Sequence, residues 1–399
     1  MGEAESADDP LVLVDCCGTA PDERTFRPDV SPYAVHPDPR RRPIGRRSVL
    51  MSATAAGMSA LLSACGRGSA PTAGAAASAG PPTASPANAV TESIDLPYCS
   101  QVLCGVPLEV GVRRGFFEAE GIKVNLVYMK GGALAVQALL GGSVDFVGTG
   151  LDVLVSAVAA GKPANMIASL SSLPFFALVT APKSDISSIA ALRGKTIGVA
   201  NINTTDHLLA RYLLQKNGIA ADAVSFAPLG PNLFDGLRTG QVNAGLVQEP
   251  ALTRLQDLGS TVLVNFMDRA QVDQLLGGPY QFFGLNTRPD VLTKRPETAA
   301  KLVRALTRTN DWIRANPGSA IVDNLPGQLL TDADREIFAR RLDAVRTNLY
   351  PASLVIDKSS VQRVIDVQTT AGTLVRPVTA DEVFTDVVAD AVSPSPTPA

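Results

Sequence analysis

From Ile94 onward, short apolar runs alternate with amphipathic stretches that close on glycine. Ile94–Cys99, Ile122–Met129, Val144–Gly148 and Ala164–Ser169 have the length and composition of buried strands. Between them, Pro107–Glu118, Ala133–Leu140 and Leu151–Ala159 read as helices, with stops at Gly121, Gly142 and Gly161. A βαβαβαβ run predicts a mostly parallel sheet, because parallel neighbours need long crossover connections. The series then repeats. Strands are predicted at Thr196–Ala200, Val224–Leu229, Val242–Val247 and Thr261–Val264, and helices at Asp206–Lys216, Leu233–Arg238 and Ala251–Leu258. Gly142 and Gly240 are 98 residues apart, as are Gly161 and Gly259. Leu139–Asp145 also lies over Leu237–Asn243, with Val144-Asp145 matching Val242-Asn243. The pattern predicts two similar α/β lobes with their strand-end loops face to face and a ligand between them.

Two extended, β-prone segments, Phe175–Thr180 and Tyr280–Asn286, are placed to carry the chain out and back. Two crossings suit a hinge. Helices are predicted at Pro296–Asn316, at Thr331–Tyr350 behind a capping-box-like Thr331 and Asp334, at Ser359–Thr373 and at Thr379–Ala391. They are expected to pack back on the first lobe. The stretch 196–218 is the first βα unit of the second lobe. Its polar loop, Asn201 to Asp206, either caps the following helix or faces a ligand.

Ahead of this pattern, residues 41–51 are basic and 49–64 are uncharged and rich in Ala and Ser, ending in Leu62-Ser63-Ala64-Cys65. A basic start, an apolar middle and small residues before a cut site define an export signal. Arg46-Arg47 resembles the twin-arginine signal. The segment before Cys65 resembles a lipobox, which would make Cys65 a diacylated membrane anchor. Residues 1–65 are thus an export signal with an N-terminal extension. Residues 66–93 form an Ala/Pro/Ser/Gly tether, and 393–399 a polar tail. The first lobe is expected over 94–180 plus 281–392, the second over 181–280. Beyond Cys65 the charge is nearly balanced, 28 basic against 29 acidic residues. With 5% aromatic residues as well, the chain lacks the basic, stacking-rich surface of a nucleic-acid binder. No apolar run after the signal is long enough to span a bilayer.

Several segments resemble the solute-binding proteins of bacterial ABC importers, in the group for nitrate, sulfonates, taurine and thiamine-pyrimidine precursors. They are Pro107–Gly121, Ala138–Asp145, Lys183–Val199 and Gly240–Ala244 with Gln248-Glu249-Pro250, the last with Asn243 where that group has Asp. The resemblance implies an α/β, two-lobed type II periplasmic-binding-protein fold, hinged by two crossing segments, with the ligand in the cleft. It further implies an extracytoplasmic, monomeric lipoprotein that passes a small molecule to a membrane permease, with no cofactor, metal or catalytic residue.

On that frame the strand-end loops nominate the ligand contacts. From the first lobe these are Ser100, Gln101, Lys130, Gly131, Thr149, Asp152, Ser171 and Ser172. From the second they are Asn203, Thr204, Thr205, Asp206, Gln248 and Glu249, with Tyr280 and Phe282 reaching in from the return crossing. Lys130 is the one cation in the set, whereas Asp152, Asp206 and Glu249 oppose an anion. The loops therefore favour a neutral or cationic nitrogen-containing ligand such as an aminopyrimidine; a sulfonate or nitrate held by backbone N–H groups remains the other possibility. Two other readings stay open: a ligand-sensing lipoprotein, and an enzyme like the eukaryotic pyrimidine synthases that share this topology. The second lacks support in the residues, because His207 is the one His beyond the signal, and Cys99 and Cys104 have no metal-like partner. Those two cysteines are either a disulfide or two small buried side chains.

Overall fold

A computed structural model describes residues 90–99, 102–129, 131–202 and 204–388, all in one compact unit. The export signal, Cys65, the tether before Val90 and the tail lie outside the described residues, as do Ser100, Gln101, Lys130 and Asn203.

The chain opens with β1 (Glu92–Cys99), α1 (Val102–Arg113), β2 (Ile122–Met129), α2 (Gly132–Leu140), β3 (Phe146–Gly150), α3 (Leu151–Ala159) and β4 (Asn165–Ser171). It crosses into β5 (Ala177–Thr180), β6 (Thr196–Val199), α4 (Thr205–Lys216), β7 (Ser225–Pro228), α5 (Leu233–Arg238), β8 (Ala244–Val247), α6 (Ala251–Asp257), β9 (Val262–Asn265) and α7 (Arg269–Leu276). It returns through β10 (Phe283–Thr287) and ends in α8 (Pro289–Lys294), α9 (Pro296–Ala315), α10 (Gly318–Val322), α11 (Asp332–Leu349) and α12 (Lys358–Ala371).

The described residues form two five-stranded sheets, in the orders β2-β1-β3-β10-β4 and β7-β6-β8-β5-β9. With the strand that arrives from the other lobe left out, β10 in one and β5 in the other, both orders read second, first, third, fourth counted from β1 and from β6. In each, a parallel trio is followed by one antiparallel strand that arrives from the other lobe, β10 in the first sheet and β5 in the second. The repeat in the glycines has a conformational basis. Gly142, Gly161, Gly240 and Gly259 all have φ between 74° and 94°, the left-handed region that ends a helix cheaply only in glycine.

The crossing segments differ from expectation. Ala177–Thr180 and Phe283–Asn286 are paired in sheets rather than spanning between them. The second sheet therefore begins at Ala177, ahead of the expected boundary. The crossings proper are residues 172–176 and 277–282. They run side by side: the Tyr280 N–H donates to the Ser172 carbonyl (2.9 Å) and the Phe282 N–H to that of Ser171 (3.0 Å). Gln281 braces the pair by donating to the Ser171 and Phe283 carbonyls.

Helix α1 starts at Val102 and carries Pro107 inside it, whereas the proline had suggested a start at Pro107. A proline there leaves the carbonyl four residues back, Leu103, without its helical donor. The Tyr350 hydroxyl supplies one, at 2.9 Å. The first part of the predicted final helix over Thr379–Ala391 is also corrected, while residues 389–391 lie outside the described residues. A capping box at Thr379 and Glu382 closes only one 3-10 turn, Ala380–Glu382. The chain is then drawn onto the open edge of β4, where Met166 exchanges backbone hydrogen bonds with Val383 and Thr385. Helices α7, α8 and α10 were not anticipated.

Candidate functional site

In both sheets the strand order reverses beside the first strand, between β1 and β3 and between β6 and β8. Loops leaving the carboxyl ends at such a switch point diverge and leave a crevice. Here the crevices of the two lobes share one narrow cleft with a cavity volume of about 30 Å³, partly open to solvent. Its first-lobe wall is Cys99, Cys104, Gly132, Thr149, Gly150, Asp152 and Val153; its second-lobe wall is Ala200, Thr204, Thr205 and Asp206; Phe176 and Phe282 close it from the crossings.

Asp152 lies in the first turn of α3, which follows β3 without a loop. Two glycines make room for Asp152 and for the neighbouring Thr149. A Cβ on Gly150 would come within 2.4 Å of Asp152 Oδ1, and one on Gly132 within 2.2 Å of Thr149 Oγ1. Asp152 is buried, and burial pushes its carboxyl above the usual range although the Thr205 hydroxyl and the N–H groups of its own helical turn pull it back. Thr205 Oγ1, from the opposite lobe, donates to Asp152 Oδ2 at 2.5 Å. This contact joins the two walls. Asp152 Oδ1, Thr149 Oγ1 and Tyr280 Oη are buried without a hydrogen-bond partner. Burial raises the Tyr280 phenol well above its ordinary pKa, and the nearby Asp152 charge adds to this.

Asp206 has a different task. It accepts the Ala200 N–H through Oδ2 (2.5 Å) and the Thr204 hydroxyl through Oδ1. The carboxylate thereby ties the end of β6 to the start of α4. Burial moves its pKa up to about 6 against those bonds. Thr204 occupies the N-cap position of α4 without a side-chain cap bond; its hydroxyl turns to the Asn201 carbonyl (2.6 Å) and to Asp206. Asp152 and Asp206 sit in the first turns of α3 and α4, so two positive helix ends at the cleft already face carboxylates. Among the described residues no Lys or Arg lines the cleft.

The structure thus brings Thr149, Asp152, Thr204, Thr205 and Asp206 together, with Gly131 just behind at the N-cap of α2. Other nominated residues are engaged elsewhere. The Ser171 hydroxyl donates to the Leu173 carbonyl, and Ser172 serves the crossing. Gln248 follows β8 and its carbonyl starts α6. Glu249 is buried against Arg341 of α11 (2.6 Å) and accepts from Thr253, so its carboxylate is committed away from the cleft. Cys99 and Cys104 are not joined in a disulfide, and both line the cleft. They, Val153, Phe176 and Ala200 were missed as wall residues. The strand-end position of Cys99 and the crossing position of Phe176 were the available signals.

A family model described as NMT1/THI5 like matches residues 106–320. The chain belongs to this family. A Haemophilus influenzae protein provisionally named for thiamine biosynthesis is 30% identical over 226 residues, 56% of this chain and 70% of that protein. The 4-amino-5-hydroxymethyl-2-methylpyrimidine phosphate synthase of Aspergillus parasiticus is 26% identical over 245 residues, 59% and 70%. Among solved structures, the alkanesulfonate-binding protein SsuA of Xanthomonas axonopodis pv. citri bound to MOPS superposes with a TM-score of 0.60 at 19% identity, covering 76% of this chain and 99% of that one. That likeness establishes the periodic two-lobed architecture as the periplasmic-binding-protein fold.

Proposed function

We propose that this NMT1/THI5-like protein is the extracytoplasmic solute-binding component of an ABC importer, anchored by lipid at Cys65 after export by the twin-arginine route. It captures a small organic nitrogen- or sulfur-containing solute by closing its lobes, and hands it unchanged to a permease. The observation that carries this reading is the cleft itself. Its polar side chains come from strand ends of two topologically matched lobes, and Thr205 of one lobe bonds Asp152 of the other. A ligand that touches both walls favours the closed arrangement by its differential affinity. The carboxylates favour a neutral or cationic nitrogen compound over an anion.

The synthase relative keeps an enzymatic reading in view. Against it, His207 packs edge-on to Phe226 at 4.6 Å instead of lining the cleft, and no His/Cys/Asp/Glu cluster with metal-ligand spacing occurs among the described residues. The test is a thermal-shift screen of aminopyrimidines, amines, alkanesulfonates, nitrate and riboflavin-like compounds. A compound at about 100 times its dissociation constant adds about 2.7 kcal/mol of stability and should be recovered chemically intact. Turnover of such a compound would instead establish the enzyme. Anchoring is checked separately: Cys65→Ser should move the protein from the detergent phase to the aqueous phase.

A further inference from the structure

We propose that Asp152 is the specificity residue of the cleft, and that it selects solutes carrying a primary ammonium group. The inference rests on the solute-binding reading above and goes beyond it by naming the head group and the residue that reads it. Asp152 has two oxygens in different situations. Oδ2 is taken by Thr205 from the opposite lobe at 2.5 Å, and Oδ1 is buried and unpartnered. The donors around this carboxylate, the Thr205 hydroxyl and the N–H groups of its own helical turn, are all neutral, and among the described residues the cleft offers it no cation. Burial without a counter-charge disfavours the ionised form, so the site is incomplete until something positive or proton-donating enters.

The neighbouring groups define what fits. Thr149 Oγ1 is buried and unpartnered on the same wall, and the unpartnered Tyr280 hydroxyl lies within electrostatic reach of Asp152. Of these, Thr149 Oγ1 and Asp152 Oδ1 belong to residues that line the cleft and can accept hydrogen bonds there, and an ammonium group has three donors and no acceptor. Phe176 and Phe282 supply apolar walls whose ring faces tolerate a cation. An anionic head would instead face Asp152 and Asp206, both at helix ends that would otherwise have attracted it. Because Oδ2 is held by Thr205, a solute bound at Oδ1 is read by the same carboxylate that joins the lobes.

The test uses matched probes, 2-phenylethylammonium with 2-phenylethanesulfonate and butylammonium with butanesulfonate, titrated calorimetrically into wild type, Asp152→Asn and Thr149→Val. The expected result is that at least one ammonium binds about tenfold or more tighter than its sulfonate partner, that Asp152→Asn removes this preference, and that Thr149→Val weakens the ammonium while leaving the preference. Asp152→Asn relieves a buried charge, so it should fold; if it does not, Thr149→Val and Asp152→Glu carry the comparison. The proposal is overturned if a sulfonate binds as tightly as its ammonium partner, if Asp152→Asn leaves the preference intact, or if neither ammonium binds at about 10 mM. Sulfonate or nitrate binding that closes the lobes would overturn this assignment alone. The absence of lobe closure with any bound solute would remove the solute-binding reading as well.

Discussion

Asp206 and His207 are adjacent, both buried at the start of α4, and shifted in opposite directions. Burial lifts Asp206 from 3.8 to about 6, so the folded chain holds that proton more readily than the unfolded one. Its contribution to stability therefore falls as pH rises from about 4 to 6. Burial, and then the charge of Arg211, lowers His207 from 6.5 to about 4, so the unfolded chain holds that proton more readily. Its contribution falls as pH drops through the same window. The two slopes oppose each other, which predicts a nearly flat stability between pH 4.5 and pH 6.5 from this pair. In denaturant titrations at those two pH values, His207→Gln should become more stable on acidification, by up to about 3 kcal/mol. Asp206→Asn should become less stable. Parallel profiles for both variants would contradict the assignment.

At the scale of elements, α1 shows how a distant residue rescues a local violation. Tyr350→Phe should cost about 1–3 kcal/mol, because the Leu103 carbonyl is left buried without a donor. Pro107→Ala restores a backbone N–H at the position the helix needs, so Tyr350→Phe should cost much less in that background. A double-mutant cycle measures the coupling; additive costs would show that the hydroxyl is not replacing the missing bond. The same helix marks the limit of what could be read from the chain. Leu151–Ala159 and Leu233–Arg238 were legible to the residue, because each has clean periodicity and an unambiguous glycine stop after it. The start of α1 was not, since a proline such as Pro107 is usually a first-turn residue and the compensating Tyr350 is 247 residues from Leu103. In the cleft, Thr149, Asp152 and Thr205 were legible because strand-end loops form sites in this class of sheet. Glu249 was misplaced because its partner Arg341 comes from a helix whose position the local pattern does not reveal. The start of the predicted helix Thr379–Ala391 failed similarly: its capping signal is genuine, but pairing with the edge of β4 wins after one turn.

At the scale of the whole molecule, the carboxy-terminal helices connect the two lobes. Helix α11 packs on α9, which packs on α1 and β4 of the first lobe. From there Arg341 reaches Glu249 and Asp334 reaches Arg254, both on the second lobe. Helix α12 packs on both α3 and α4, and its Gln368 donates to the Asp152 carbonyl at 2.8 Å. Arg341→Met would leave the Glu249 carboxylate buried without its counter-charge and should cost about 3–5 kcal/mol. Arg341→Met combined with Glu249→Gln should recover most of that loss in chemical denaturation. A double variant as unstable as the single one would contradict the pairing. The central claim is that a solute closes the lobes over the cleft, and a distance measurement between them tests it most directly. Spin labels on cysteines introduced by Lys123→Cys on β2 and Lys216→Cys on α4, in a chain with Cys16, Cys17 and Cys65 changed to Ser and Cys99 and Cys104 changed to Ala, report that distance by pulsed electron resonance. The account predicts a broad or longer distribution without solute and a single shorter distance once a stabilising compound from the screen is bound. A distribution unchanged by every compound that binds would contradict it.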